Sequence, residues 1–533
     1  MEIDCLSFRE TGYFSSLICD YLDEKEELRS FYNRFPKLEN FEGQIKEKAT
    51  NFSSENRKIL VSALKEQYGH IRADRATSQN ILRLEKDTTF TVVTGHQLNL
   101  FTGPLYFLYK IVSTINLTKR LKQAYPGYDF VPVYWMATED HDFDEINHFS
   151  FKGKKIRWNR SANGAVGRLS TDGLNGIFEV FSAELGESPH AEYLKKLFKE
   201  AYLEHSTLTE ATRFLANELF GEQGLVIVDG DNAHLKRLLV PYAEKDIFEQ
   251  LPYKEVSKSN EKLSRLSNKY SIQVNPREIN FFYLKDGLRE RIIEKRGNYF
   301  INDTELQFSK AELLKELHDH PERFSPNVIA RPLYQEIILP NLCYIGGGGE
   351  LAYWLELKSY FDALGIVFPV LLLRNSALVL STKHAEKIKR LGLQPQDLFL
   401  KQNSLINKKI RQISNIDINF APQKKILEEQ FAHLYELAKQ TDKSFLGAVR
   451  AQEKKQKNGL DKLEKRLLKA QRRRLKDHVM RLTEIQNELF PGQSLQERQL
   501  NFSELYLAYG DVFIEMLQKS LNPLQQDFLV LRS

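Results

Sequence analysis

Cysteine is scarce in this chain. Its 533 residues include three, Cys5, Cys19 and Cys343, with no CxxC spacing among them. Three thiols cannot build a disulfide framework, which points to a reducing compartment and a cytoplasmic protein. Long apolar runs are also lacking. No stretch of about 18 apolar residues occurs, so no membrane span is expected. The opening MEIDCLSFRETGYF carries acids early and has neither the basic nor the apolar stretch of a secretory signal. A surplus of one charge is missing too. The net charge is +5, too small for a chain-wide nucleic-acid surface, and no nucleic-acid recognition module is present. What is there is 42% hydrophobic and 28% charged residues, enough apolar content to pack cores and to exclude wholesale disorder. At about 100–200 residues per domain, the length suggests about three to five units.

Residues 1–88 read mostly as helices, the N-terminal helical part of a core. The pattern then changes. TFTVVTGHQLNL (89–100) is a β-branched run, and DFVPVYWMATEDHD (129–142) ends in acids and a histidine. GLVIVDGDN (224–232) ends in aspartates, LPNLCYIGGGGE (339–350) ends in four glycines, and GIVFPVLLLRNSALVLS (365–381) is the longest apolar run. Short apolar strands alternating with helical segments predict an α/β fold around a parallel sheet buried on both faces. Ligands of such sheets collect beyond the carboxyl ends of the strands.

Two spacers are too long for simple crossovers. Residues 150–223 begin as a hairpin and turn helical. Residues 277–310 read as a β-rich meander with turns at Asp286–Gly287 and Asn302–Asp303. Both are expected to be insertions standing over the strand ends, which divides the core into 89–149, 224–276 and 311–381. Residues 382–490 form a helical arm. Its seam of Leu460, Leu463, Leu467, Ala470, Arg474, His478, Leu482, Ile485 and Leu489 steps by threes and fours, as a coiled coil needs. The stretch from Ile426 to Phe445 predicts an antiparallel partner, with the bend near Gly447 or Gly459. The basic run Arg472–Arg474 with Lys476 reads as a solvated face. Pro491–Gly492 stops the helix, and 491–533 returns to the core.

Four segments carry candidate chemistry. In TGHQLNLFTGPLYFLYK (94–110), Gly95 permits close approach and His96 and Gln97 sit at a strand end. Thr102 and Gly103 then open a helix whose free N–H groups suit an anion. TEDHDFDEINH (138–148) follows a strand with Glu139, Asp140, His141, Asp142 and Asp144, groups able to orient an amine or act as a general base. Zinc is not expected there, because the nearby nitrogen ligands are only His141, His148 and His96. In CYIGGGGELAYWLELK (343–358), Gly347 and Gly348 offer backbone amides, and Glu350, Tyr353 and Trp354 follow on a helix. The segment lacks the Lys-Ser/Thr ending of a P-loop. Arg331 in RPLYQE (331–336) is placed to grip a carboxylate. A separate nucleotide pocket is expected at the junction of core and arm, from Ser381, Thr382, Lys383 and Arg498.

TGHQLNLFTGPLYFLYKI, PVYWMATEDHDFDEINH, RPLYQEIILPNLCYIGGGGELAYWLELK and, further on, GQSLQERQLNF (492–502) together resemble the bacillithiol-biosynthesis cysteine-adding enzymes, the bacillithiol synthases or cysteine ligases. The resemblance runs in order along nearly the whole chain. It implies a Rossmann-like, nucleotidyltransferase-type core with two connecting-peptide insertions and an α-helical coiled-coil domain used for homodimerisation. It implies the final step of bacillithiol synthesis, in which the carboxyl of cysteine joins the amine of glucosaminyl-malate as an amide. An amide needs an activated carboxyl, so ATP or another nucleotide, with magnesium, is the expected cosubstrate. Gly95 and His96 stand where related adenylating enzymes have a histidine-and-glycine signature, here TGHQ in place of paired histidines. The expected placement puts the sugar near Asp140, His141 and Asp142. The malate carboxylates meet His96, Arg331 and the tetraglycine amides, and Glu139, Asp140 or His141 takes the amine proton. The alternatives are a nucleotidyltransferase-like enzyme acting on another sugar or acid, and a catalytically silent coiled-coil scaffold. Four glycines at a strand end are costly without a ligand, which counts against the scaffold.

Overall fold

A computed structural model describes residues 2–69 and 71–532 of the chain. Five strands form the central sheet: β1 (Thr89–His96), β2 (Asp129–Met136), β3 (Val226–Asp229), β4 (Asn341–Gly346) and β5 (Val370–Leu373). All pair in parallel, in the order β5-β4-β1-β2-β3. The chain builds outward from β1 to β3, then crosses back to lay β4 on the other side. The order therefore reverses between β1 and β4, the point where such sheets open a crevice. The strands carry no polar-out alternation because both faces are covered. Phe90, Val92, Leu342 and Leu372 pack with Leu117 and Leu121 on one face, while Val93, Val131 and Val133 join the larger core.

Three core helices place the site. α1 (Tyr106–Ala124) follows β1, α2 (Ala330–Ile338) precedes β4, and α3 (Gly348–Glu356) follows it. Arg331 therefore lies on a helix. The apolar run 365–381 is two strands in two sheets, broken at Arg374–Asn375. Ser376–Leu380 leaves the central sheet and pairs in parallel with Phe528–Arg532. That last strand pairs antiparallel with Glu2–Leu6, so the N-terminal part is not all helical.

The first spacer forms the hairpin His148–Phe151 and Lys154–Arg157, then the helices Leu174–Leu185, Pro189–Leu203 and Leu208–Phe220. The second builds an antiparallel sheet from Phe281–Lys285, Leu288–Lys295, Asn298–Ile301 and Gln307–Ser309, and the sheet runs past the expected bound at 310, because Phe324–Pro326 pairs with Phe281–Lys285. Asp286–Gly287 turns it as read, and Arg296–Gly297 makes a further tight turn with both residues at positive φ (55° and 82°). Before this sheet, residues 267–280 cross the mouth of the crevice without regular structure.

The arm comprises α4 (Ala421–Ala438), α5 (Lys443–Arg474) and α6 (Lys476–Leu489). α4 and α5 are antiparallel, packed through Leu427, Phe431, Ala438 and Val449. Their bend is not at a glycine: Gly447 and Gly459 both lie inside α5, and Asp442 caps it by accepting the N–H groups of Ser444 and Phe445 at 2.8 and 3.0 Å. The seam falters at Arg474 and His478 because the helix itself breaks there, at Leu475 (ψ 34°).

Candidate active site

A cavity of about 610 Å³ opens beyond the carboxyl ends of β1, β2 and β4, at the switch point. Gly95 is the residue that lets its walls meet. A Cβ there would stand 3.2 Å from the Tyr344 hydroxyl and 4.0 Å from Arg331 Nη1. The Arg331 guanidinium lies over the rings of Trp135 and Tyr344, at 5.6 and 5.8 Å from their centres. Its Nη1 donates to Gln335 Oε1 at 3.2 Å, while its Nη2 is buried with no hydrogen-bond partner among the described residues. A buried donor left open on a cavity wall suits a carboxylate or phosphate oxygen.

Beside it, Lys110 of α1 donates from Nζ to the Gly95 carbonyl at 2.6 Å and meets Glu350 Oε1 at 2.6 Å. Glu350 also accepts from the Tyr344 hydroxyl at 2.7 Å and the Gly347 N–H at 3.0 Å. Burial disfavours both charges. It lowers the proton affinity of Lys110, but for Glu350 it is outweighed by Lys110 and the two hydrogen bonds, which hold the carboxyl below its ordinary value.

His96 is neutral. Burial, helped by Lys110, pushes its pKa down to about 3. Its Nε2 lies 3.3 Å from the Thr102 carbonyl, which can only accept, so Nε2 carries the proton and Nδ1 is the open acceptor. The imidazole thus serves as a fixed dipole and does not pair with a carboxylate as a cation.

The acidic loop divides by function. Asp140 accepts from Gln97 Nε2 at 2.5 Å and the His141 N–H at 2.7 Å, with Arg289 Nη1 at 3.7 Å. Burial opposes its ionisation, yet the bonds from His141 and Gln97 and the Arg289 charge hold it well below the usual carboxylate range. Arg289 Nη1 also lies 2.6 Å from His141 Nδ1. A guanidinium only donates, so that nitrogen accepts and His141 presents Nε2–H. Glu139 turns to Lys236 Nζ at 2.5 Å, and Lys236 is 1% exposed. Glu145 stands exposed at the rim of the cavity, where partial desolvation together with Asp140 and Asp142 raises its proton affinity.

The structure brings Gly95, His96, Gln97, Glu139, Asp140, His141, Arg331, Glu350 and Tyr353 to one cavity. Other residues read from the sequence lie elsewhere. Asp142 caps the turn Phe143–Ile146 by accepting the Glu145 N–H at 3.2 Å, and Asp144 pairs with Arg157 at 2.5 Å on the surface. Thr102 and Gly103 sit behind His96 in a strained turn, with Phe101 and Thr102 at φ 48° and 67°. Asn501 braces it, donating to the carbonyls of Phe101 and Gly103 at 2.7 Å each. Gly103 is glycine for packing, since its Cβ would stand 2.5 Å from Asn99 Cβ. Trp354 is fully buried against Tyr344, Phe361 and Phe368. Gly348 faces Phe14 and Ile18. Ser381 caps the helix Thr382–Arg390, and neither it, Thr382 nor Lys383 lines the recess that Arg498 lines.

Lys110, Glu145, Arg289, Tyr344 and Arg374 were not read as site residues. Lys110 had a signal, four residues after Tyr106 on the helix that leaves β1. Arg289 had none, because it comes from a distant insertion. Among the described residues no cluster of three or more His, Cys, Asp and Glu side chains could hold a metal ion.

Residues 1–375 match the family described as "Bacillithiol biosynthesis BshC, N-terminal Rossmann-like domain", and residues 377–533 match "Bacillithiol biosynthesis BshC, C-terminal coiled-coil domain". The chain is 59% identical to a protein of Flavobacterium johnsoniae over all of both chains. It is 37% identical to one from Cytophaga hutchinsonii, covering 98% of this chain and 97% of that one. A Bacillus mycoides protein is 30% identical, with 97% of each chain covered. All three carry the name "Putative cysteine ligase BshC".

Proposed function

The chain belongs to the bacillithiol biosynthesis BshC family, and on that premise we propose that it joins the carboxyl of cysteine to the amine of glucosaminyl-malate, with the carboxyl activated by ATP. The observation that carries this reading is the open Arg331 Nη2 on a cavity whose other wall holds a carboxylate, Asp140, that stays ionised. Arg331 takes a malate carboxylate, Asp140 and Gln97 Oε1 accept from the ammonium group, and the His141 Nε2–H donates to a sugar hydroxyl.

The base is Glu145. A carboxylate held as low as Asp140 has little affinity for a proton at neutral pH, the Arg289 bond occupies His141 Nδ1, and Lys236 occupies Glu139. The amine gives its proton to Glu145 and its lone pair attacks the acyl carbon. The C–N bond forms as the bond to the activating group breaks, and the leaving group takes that electron pair. A cytoplasmic homodimer is part of the same proposal. The arm exposes Ile426, Leu434, Leu437 and Phe445, an apolar set that a second copy would cover.

The test is reconstitution with glucosaminyl-malate, cysteine and magnesium, with and without ATP, read by mass spectrometry. Bacillithiol formed only with ATP, beside AMP or ADP, is expected. No product, or equal product without ATP, overturns the proposal.

A further inference from the structure

None of the four glycines 346–349 has positive φ, so backbone freedom does not explain them. Gly346 is needed for packing, since its Cβ would stand 2.8 Å from Leu351 Cδ1. Gly349 has no such reason: a Cβ there would meet nothing within 4 Å. A glycine in a helix costs about 0.5–1 kcal/mol relative to alanine. Gly347 and Gly349 line a second recess of about 500 Å³ that adjoins the main cavity across Tyr106, Glu350 and Tyr353.

Two arginines complete that recess, Arg374 and Arg498. The break after β5 aims Arg374 at the glycine turn, with its N–H on the Gly346 carbonyl at 2.9 Å. The Arg374 side chain is 3% exposed. Its Nη2 pairs with Glu497 at 2.6 Å, and its Nη1 donates to Asn375 O and Ser376 Oγ at 2.9 Å each. Its Nε is buried without a partner, an open donor at the mouth of α3, whose first N–H groups have no acceptor within the helix. Arg498 is exposed and pairs with no side chain among the described residues. Glu350, the acid on this border, is already neutralised by Lys110.

We infer that this recess is a second oxyanion subsite, separate from the Arg331 wall, which binds a phosphate or carboxylate group through Arg374 Nε, Arg498 and the first amides of α3. Arg374, which is buried, and the helix end are fixed donors, and Arg498 is the exposed one. Phosphate and carboxylate share this chemistry, so the test separates them.

Pyrophosphate and malate are titrated calorimetrically into the full chain at constant ionic strength. The expected result is saturable binding of at least one. Arg498→Ala, whose side chain supports nothing else, weakens it tenfold or more with Tm unchanged, while Lys383→Ala leaves it alone. Tighter pyrophosphate binding assigns the subsite to a nucleotide's phosphates, and tighter malate binding assigns it to a substrate carboxylate. Binding that Arg498→Ala does not change, binding lost only in Arg331→Gln, or no saturable binding of either anion overturns the inference.

Discussion

The core and the arm use the same charged residues to opposite ends. In the core, Lys48–Glu336 and Arg374–Glu497 are at most 3% exposed, and Lys110 is 4% exposed beside Glu350. Along the arm, Lys439–Glu436, Lys457–Glu428 and Lys424–Asp461 lie on the surface. A buried pair is a rigid fixture. Its two charges have lost water, and removing one strands the other. An exposed pair is screened and replaceable by solvent, so it contributes solubility and little else. The difference shows where charge specifies geometry in this molecule: around the ends of the central strands, where Lys236–Glu139 joins the same set, far more than along the coiled coil.

The largest test of that contrast is Glu497→Ala. It leaves Arg374 buried beside the glycine turn without its counter-charge, and urea unfolding should show a loss of about 3–5 kcal/mol. A loss under about 1 kcal/mol would mean that water reaches Arg374 and that the contrast is overstated. Next comes Glu145→Gln, expected to lower kcat by about 10²–10⁴-fold, in the range of general-base removal, with Tm unchanged. Asp140→Asn should act mainly on KM. If the two variants exchanged these effects, the base would be Asp140.

A third test uses pH. Burial pushes Glu356 and Asp246 each up to about 7. They hold the crevice loop at its middle and at its far end. Glu356 accepts the N–H groups of Gln273 and Val274 at 2.7 and 3.2 Å, and Asp246 accepts the Asn280 N–H at 2.7 Å. Both folded groups bind their protons more tightly than the unfolded chain does. Stability from them is therefore present at low pH and is lost as pH rises from the ordinary carboxyl range to about 7. Glu356→Gln should flatten the fall of Tm across that window, and an unchanged slope would contradict its burial. The smallest effect is expected from Lys457→Ala on the arm, with no measurable change in unfolding midpoint or activity.

The same contrast explains what the sequence made legible. β1, β2 and β4 are short apolar runs ending in polar or glycine-rich segments, and burial on both faces makes such strands stand out. The arm was visible from its period, but its bend was misplaced. Gly447 and Gly459 look like breaks, yet a long helix absorbs about 1 kcal/mol for each. The true turn rests on Asp442, one cap among many acids. Asp142 and Asp144 were misread for a related reason, because acids in a dense loop also serve caps and surface pairs. Arg289 and Arg374 reach the crevice only through long-range folding, and no local pattern announces that.

One pairing sets the order of assembly. Strand Glu2–Leu6 has its register with Phe528–Arg532, almost the full length of the chain away. At about 5–20 residues per second, roughly half a minute or more passes during synthesis before that partner exists. Until then the edges of Glu2–Leu6 and Ser376–Leu380 stand open, and the nascent protein has a completed arm before it has a closed core. Its most vulnerable moment is therefore the last one, when a chaperone or a second nascent chain can reach those edges first.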